Sequence, residues 1–146
     1  MPNNDPQDLN RFVKAQEAVF ENVLRELENG QKKSHWMWFI FPQIEGLGYS
    51  EITRYYSIKS LEEARQYLNH PILGPRLLKC TETVLAIDGK TVSEIFGSPD
   101  DMKFKSSMTL FACVTESEAL FTQVLEKYFD GERDKKTEFL LGLRAQ

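Results

Sequence analysis

Two stretches of the chain combine side chains able to recognise a flat, charged molecule. The first, residues 31–50, reads Gln-Lys-Lys-Ser-His-Trp-Met-Trp-Phe-Ile-Phe-Pro-Gln-Ile-Glu-Gly-Leu-Gly-Tyr-Ser, with Trp36, Trp38, Phe39 and Phe41 directly after Lys33 and His35. An aromatic face stacks a base, a nicotinamide or a sugar, and a pocket needs few polar groups beside it. Lys33, His35 and Gln43 can supply those groups, and Gly46 and Gly48 permit a tight loop near a ligand. The plainer use of the same rings is a core in which Trp36, Met37, Phe39 and Ile40 supply buried area and the indole N–H groups find internal acceptors.

The second stretch is Ser98-Pro-Asp-Asp-Met-Lys-Phe-Lys-Ser-Ser-Met-Thr-Leu-Phe111. As a helix it gathers Asp100, Lys103, Ser106 or Ser107, and Leu110 on one side, with Phe104, Met108 and Phe111 aimed at a core. Lys103 or Lys105 can meet the charge of a phosphate or carboxylate while Ser106 and Ser107 orient it. The alternative is a solvated stripe whose Asp100–Lys103 pair contributes little.

Catalytic chemistry has a narrower base. His35 is the candidate proton carrier, because imidazole suits transfer near neutrality, and it needs a carboxylate such as Asp100, Asp101 or Glu45 beside it. A serine nucleophile served by Lys103 requires a desolvated lysine, which no spacing supplies. His70, in a loop before Pro71, reads as structural or exposed. Two histidines and two cysteines at unrelated spacings give no expected metal site, and no Gly-x-Gly-x-x-Gly, phosphate-cradling loop or Gly-x-Ser-x-Gly elbow is present. No cofactor is assigned.

The elements that must position these residues read as helices. Apolar residues at Leu9, Phe12, Val13, Val19, Phe20, Val23, Leu24 and Leu27 predict one long amphipathic helix, opened by Asp5, Pro6 and Asp8 and closed at Gly30. Ser34 and Pro42 bracket a short helical turn, with a central strand as the alternative. Ser60 with Glu63, Thr91 with Glu94, and Ser98-Pro99 with Asp101 open further helices, and Gly74-Pro75 introduces another. Stripes at Leu120 to Tyr128 and Thr137 to Leu143 follow, the last docking through Phe139, Leu140 and Leu143. No alternating strand pattern with hairpin turns appears. The expectation is an all-α single compact domain over 1–146, about seven helices with short connections, residues 1–5 frayed.

Composition sets the outer limits. With 146 residues, 41% hydrophobic, the chain can bury a real core, and 22 acids against 18 bases oppose nonspecific attraction to nucleic acid or an anionic bilayer. Lys32-Lys33 is the one adjacent basic pair before the aromatic run, and that apolar run, Trp36 to Phe41, is too short to span a membrane. Cys80 and Cys113 read as reduced thiols, each a small buried hydrophobe in a helix, and Met-Pro-Asn-Asn-Asp-Pro carries no basic or apolar leader, so a cytoplasmic location is expected.

Four strings in order carry a resemblance: Ser-His-Trp-Met-Trp-Phe-Ile-Phe-Pro-Gln at 34–43, Leu-Glu-Glu-Ala-Arg at 61–65, His-Pro-Ile-Leu-Gly-Pro-Arg-Leu at 70–77, and Asp-Met-Lys-Phe-Lys-Ser-Ser-Met-Thr-Leu-Phe at 101–111. From about Asp8 to Phe129 the chain resembles the bacterial family designated domain of unknown function eighteen-ten. The resemblance implies a small, mainly helical protein and no particular activity. The calpastatin label attached to some members denotes a disordered inhibitor, at odds with this composition. The leading expectation is a pocket between the 33–48 segment and the 98–111 helix for an anionic, ring-bearing, nucleotide-like ligand, with Trp36 or Trp38 stacking the ring. The rivals are an interaction module without chemistry, its protein partner unspecified, and an enzyme acting on a nucleotide-like glycosidic or phosphate bond.

Overall fold

Apolar residues recurring every three or four positions make helices of most of the chain, and the computed structural model describes residues 8–115 and 119–145. Ten helices lie among the described residues where about seven were expected, so the all-α class holds and the count changes. The expected fraying of residues 1–5 lies outside the described residues.

Two local reasons account for much of the difference. The long helix over 9–27 divides at Ala18–Val19 into α1 (Asn10–Glu17) and α2 (Phe20–Glu28), because α1 packs on α3 (Met37–Ile40) and α2 on α6 (Leu73–Leu85). One straight rod cannot present its apolar stripe to both partners. α4 (Glu51–Tyr55) has no buried residue and hence no stripe to find; it is opened by Ser50, whose hydroxyl accepts the Thr53 N–H at 3.2 Å.

Capping follows local chemistry where a side chain can reach. Ser60 caps α5 (Leu61–Asn69), and Thr91 and Glu94 form a reciprocal capping box on α7 (Val92–Phe96). α6 begins before the expected Gly74-Pro75, because His70 Nδ1 accepts the N–H groups of Ile72 and Leu73 at 3.1 and 3.3 Å. Gly74 serves a different end: a Cβ there would sit 2.1 Å from the Leu68 carbonyl oxygen, so only glycine lets α6 pass this close to α5. At the chain's start, Asp5 and Pro6 lie outside the described residues, and α1 begins after Leu9 without a side-chain cap.

α8 (Asp100–Ala112) is the central element. Every residue from Phe104 to Ala112 is buried, and the helix touches α3, α5, α7, α9 (Leu120–Phe129) and α10 (Lys135–Ala145). The expected division into one polar and one apolar face is therefore replaced by a surrounded helix. Two of its hydroxyls survive burial by turning on their own backbone: Ser106 donates to the Met102 carbonyl at 3.1 Å and Thr109 to that of Lys105 at 2.8 Å. Its own Phe104 and Phe111, with Phe12, Trp36, Phe41, Tyr67 and Phe121 around it, form the aromatic centre of one connected core. A buried ion pair, Arg11 to Glu63 at 3.3 Å, ties α1 to α5. In α10 Leu140 is half-buried and Phe139 exposed; the side chain of Leu143 lies outside those described.

Candidate functional site

The segment before α3 is organised by one carboxylate. Glu26, on α2, accepts the N–H groups of Lys33 and Ser34 at 2.7 and 3.0 Å, the Ser34 hydroxyl, and the Trp36 indole N–H at 3.0 Å. Burial alone would push this carboxyl up, but the Ser34 hydroxyl, the two backbone N–H groups and the indole outweigh it and hold it at about 2. Ser34 is thereby used on Glu26 and does not cap α3, whose N-cap position is Trp36. Trp36 is fully buried, its ring in the core.

Fixing that segment turns Lys32 inward. Its ammonium lies 2.9 Å from Asp100 at the start of α8 and 5.0 Å from the centroid of Trp36. The other Asp100 oxygen faces Lys103 at 3.6 Å, and Lys103 in turn lies 5.5 Å from the centroid of Trp38. The result is a row of alternating groups, indole, ammonium, carboxylate, ammonium, indole, in which one acid serves two bases. Lys103, the second ammonium of the row, is half-exposed.

Beyond Lys103 opens a cleft of about 290 Å3, lined by Gln43, Leu47, Gly48 and Thr53 from one stretch, Pro99, Met102, Lys103 and Ser106 from the start of α8, and Asp134 and Lys136 at the start of α10. Gln43 is fixed by its backbone: Ile58 N–H donates to its carbonyl at 2.8 Å beside the parallel bridge Ile44–Ile58. The loop after it turns at Gly46, φ +110°, against Leu140 of α10. Asp134 Oδ2 accepts the Thr137 N–H at 2.9 Å and its hydroxyl, which opens α10, while Asp134 N–H donates to Thr109 at 2.9 Å. A void of only about 10 Å3 continues under Trp38, bounded by Gln43, Thr53 and Tyr56. It has room for about one water and not for a ring.

Of the residues singled out from sequence, Gln43, Lys103 and Ser106 meet at this cleft and Trp38 stands behind Lys103. The others lie elsewhere. Trp36 is core; Lys33 and His35 are exposed outside the cleft; Ser107 is wholly buried; Lys105 is buried and pairs with Glu132 at 2.6 Å. Two carboxylates considered for His35 are engaged away from it, Asp100 as above and Asp101 by the Ser93 hydroxyl at 2.7 Å, while Glu45 faces Lys59 at 3.5 Å. Leu47, Thr53, Met102, Asp134 and Lys136 were not singled out; Asp134 followed three residues later by Thr137 is the local signal that marks the start of α10.

A larger, open groove of about 570 Å3 lies where α2 and α6 end, but Glu28, Glu82 and Asp88 alternate there with Lys79 and Lys90, and Lys90 is used on the Gly30 carbonyl at 3.0 Å. Three carboxylates against two ammonium groups leave it net negative, which does not suit an anion. No group of three or more His, Cys, Asp or Glu among the described residues is placed to hold a metal ion, and no helix among them is long and apolar enough to cross a membrane.

Residues 6–141 match the family described as "Protein of unknown function (DUF1810)". The chain is also similar to the crystal structure of the conserved hypothetical protein Rv1873 from Mycobacterium tuberculosis, at 51% identity over 94% of this chain and 99% of that one, with a TM-score of 0.93. No curated protein matches the chain.

Proposed function

The chain belongs to the DUF1810 family, whose description carries no activity, and from its geometry we propose that it binds a small anionic, ring-bearing molecule of nucleotide type in the cleft between the 43–53 stretch and α8. The observation that carries this reading is the meeting of Gln43, Lys103 and Ser106 with Lys136, from three separate parts of the chain, around one cavity. Lys103 and Lys136 bring two positive charges against the one carboxylate that lines the cleft, Asp134, while Asp100, outside it, is shared between Lys32 at 2.9 Å and Lys103 at 3.6 Å. Lys103 and Lys136 meet the negative charge and Gln43 orients it. Trp38 holds the Lys103 ammonium over its face, and the ring of the ligand rests on Leu47, Pro99 and Met102 instead. A cytoplasmic setting belongs to the same reading, supported by the two free thiols Cys80 and Cys113.

A thermal-shift series with inorganic phosphate and adenosine monophosphate on the wild type, Lys103→Ala and Lys136→Ala tests this. Saturation at 100 times the dissociation constant adds about 2.7 kcal/mol, a rise of several degrees in the wild type that both variants lose. No rise with either anion, or an undiminished rise in both variants, overturns the reading.

The exposed run Tyr49, Ile52 and Tyr55, at 74%, 41% and 55% accessibility, favours the interaction-module reading instead. Concentration-dependent self-association that Tyr49→Ser/Tyr55→Ser abolishes supports it; a monomer at all concentrations that captures no partner rejects it.

A further inference from the structure

The polar groups of the cleft are of two kinds, and a bare anion uses one of them. On the donor side stand the ammonium groups of Lys103 and Lys136 and the side-chain amide of Gln43. On the acceptor side stand Ser106 and Asp134. The Ser106 hydroxyl hydrogen is given to the Met102 carbonyl at 3.1 Å, so its oxygen presents lone pairs to the cavity. Asp134 uses Oδ2 on Thr137, N–H and hydroxyl, which leaves Oδ1 as an acceptor in a residue that lines the cavity. Acceptors in a cleft dominated by positive charge serve hydroxyl donors on the body of a ligand whose head is the anion.

Size narrows the body. At about 290 Å3 the cleft lies at the lower edge of the usual range for ligand pockets, about 300 to 1,000 Å3. The void under Trp38, about 10 Å3, adds no room for a second ring. Leu47, Pro99 and Met102 give the ring an apolar rest.

Resting on the reading of the cleft as an anion site, we infer that its ligand is a phosphate monoester of one hydroxylated ring, a pentose phosphate or a nucleoside monophosphate, with its phosphate at Lys103 and Lys136 and a ring hydroxyl donated to Asp134 and Ser106. A dinucleotide is too large. Asp134 is then a specificity-determining residue: it does not attract the phosphate, which it repels, but rewards the sugar.

Isothermal titration with inorganic phosphate, ribose 5-phosphate, adenosine monophosphate and nicotinamide adenine dinucleotide, on the wild type and Asp134→Asn, tests this. Asparagine keeps an oxygen for capping Thr137 and turns its other atom from acceptor to donor, and a thermal melt confirms that the variant is folded. The expected result is that at least one monoester binds ten or more times tighter than inorganic phosphate, and the dinucleotide more weakly than that monoester. Asp134→Asn removes the margin and leaves phosphate binding equal or stronger. Ribose 5-phosphate matching adenosine monophosphate assigns the affinity to the sugar phosphate; a preference for the latter assigns a role to the base; both support the inference. Monoesters binding no tighter than phosphate, a margin that survives in Asp134→Asn, or a dinucleotide binding equally well overturns it while the anion site stands. Failure of phosphate and both monoesters to bind overturns the anion site itself.

Discussion

Glu26 accepts the indole N–H of Trp36 at 3.0 Å, and this bond links the end of α2 to a fully buried ring of the aromatic segment. The same carboxylate takes up the N–H groups of Lys33 and Ser34, so the chain between α2 and α3 is wrapped around a single buried charge. Lys32, just before this stretch, is held by its own N–H, which donates to the Ile95 carbonyl at 2.7 Å, and by its ammonium on Asp100.

Stability is accordingly expected to depend on the ionised form of Glu26. Its carboxyl sits at about 2 in the folded protein against an ordinary 4.5, so between these values the unfolded chain binds the extra proton. The contribution is complete above about 4.5 and disappears as the pH falls toward about 2. Glu26→Ala should cost about 2 to 4 kcal/mol at neutral pH. Urea melts from pH 7 to pH 3 check both points: the gap between wild type and Glu26→Ala narrows with acid, and a constant gap refutes the assignment.

Ser107 supplies a test of opposite sign. Its hydroxyl is wholly buried in α8 and has no hydrogen-bond partner among the described residues. Ser107→Ala removes a desolvated polar atom and should raise stability by about 1 kcal/mol, read from the urea midpoint at unchanged slope. A loss of stability would mean that the hydroxyl is satisfied.

The two thiols should separate in reactivity. Cys80 is buried in α6, and burial pushes its thiol up to about 12 against the pull of Arg76 and Lys79. Cys113, expected buried, is instead exposed because it caps the end of α8, with Arg133 at 3.7 Å from its sulfur. An aromatic disulfide reagent at pH 8 should titrate one thiol per native chain and two after unfolding. Two fast equivalents from the native protein would show that α6 opens readily.

Local chemistry was the legible part of the sequence. The caps at Ser60 and at Thr91 with Glu94 lie within three residues of the N–H groups they serve, and both stand as read. The all-α class follows from periodicity in the same way. Lys32 against Lys33 was not legible, because which of two neighbours turns inward on a non-helical stretch is set by partners distant in the chain, Glu26 for the Lys33 N–H and Ile95 and Asp100 for Lys32. α8 misled for another reason: Lys105, Ser106, Ser107 and Thr109 have the composition of a wet face, yet their polar ends are met within the protein, apart from Ser107. Of the cleft, Gln43, Lys103 and Ser106 were visible in the two unusual stretches, whereas Asp134 and Lys136 join them only through the docking of α10. No spacing in one sequence reveals a contact between parts so far apart.

The row from Lys32 to Lys103 is unevenly shielded from ions in the surrounding solution. The Lys32 side chain is 7% exposed and Lys103 29%, so added salt reaches one end of the row and hardly the other. At physiological ionic strength, charges in water lose each other beyond about 8 Å, while a buried pair is screened far less. Raising the ionic strength therefore loosens the hold of Asp100 on Lys103 and leaves Lys32 anchoring α8 to the preceding segment. Salt thus separates the two ends of the row: the Lys32–Asp100 contact keeps α8 on the preceding segment while the charge of Lys103 at the cleft is screened.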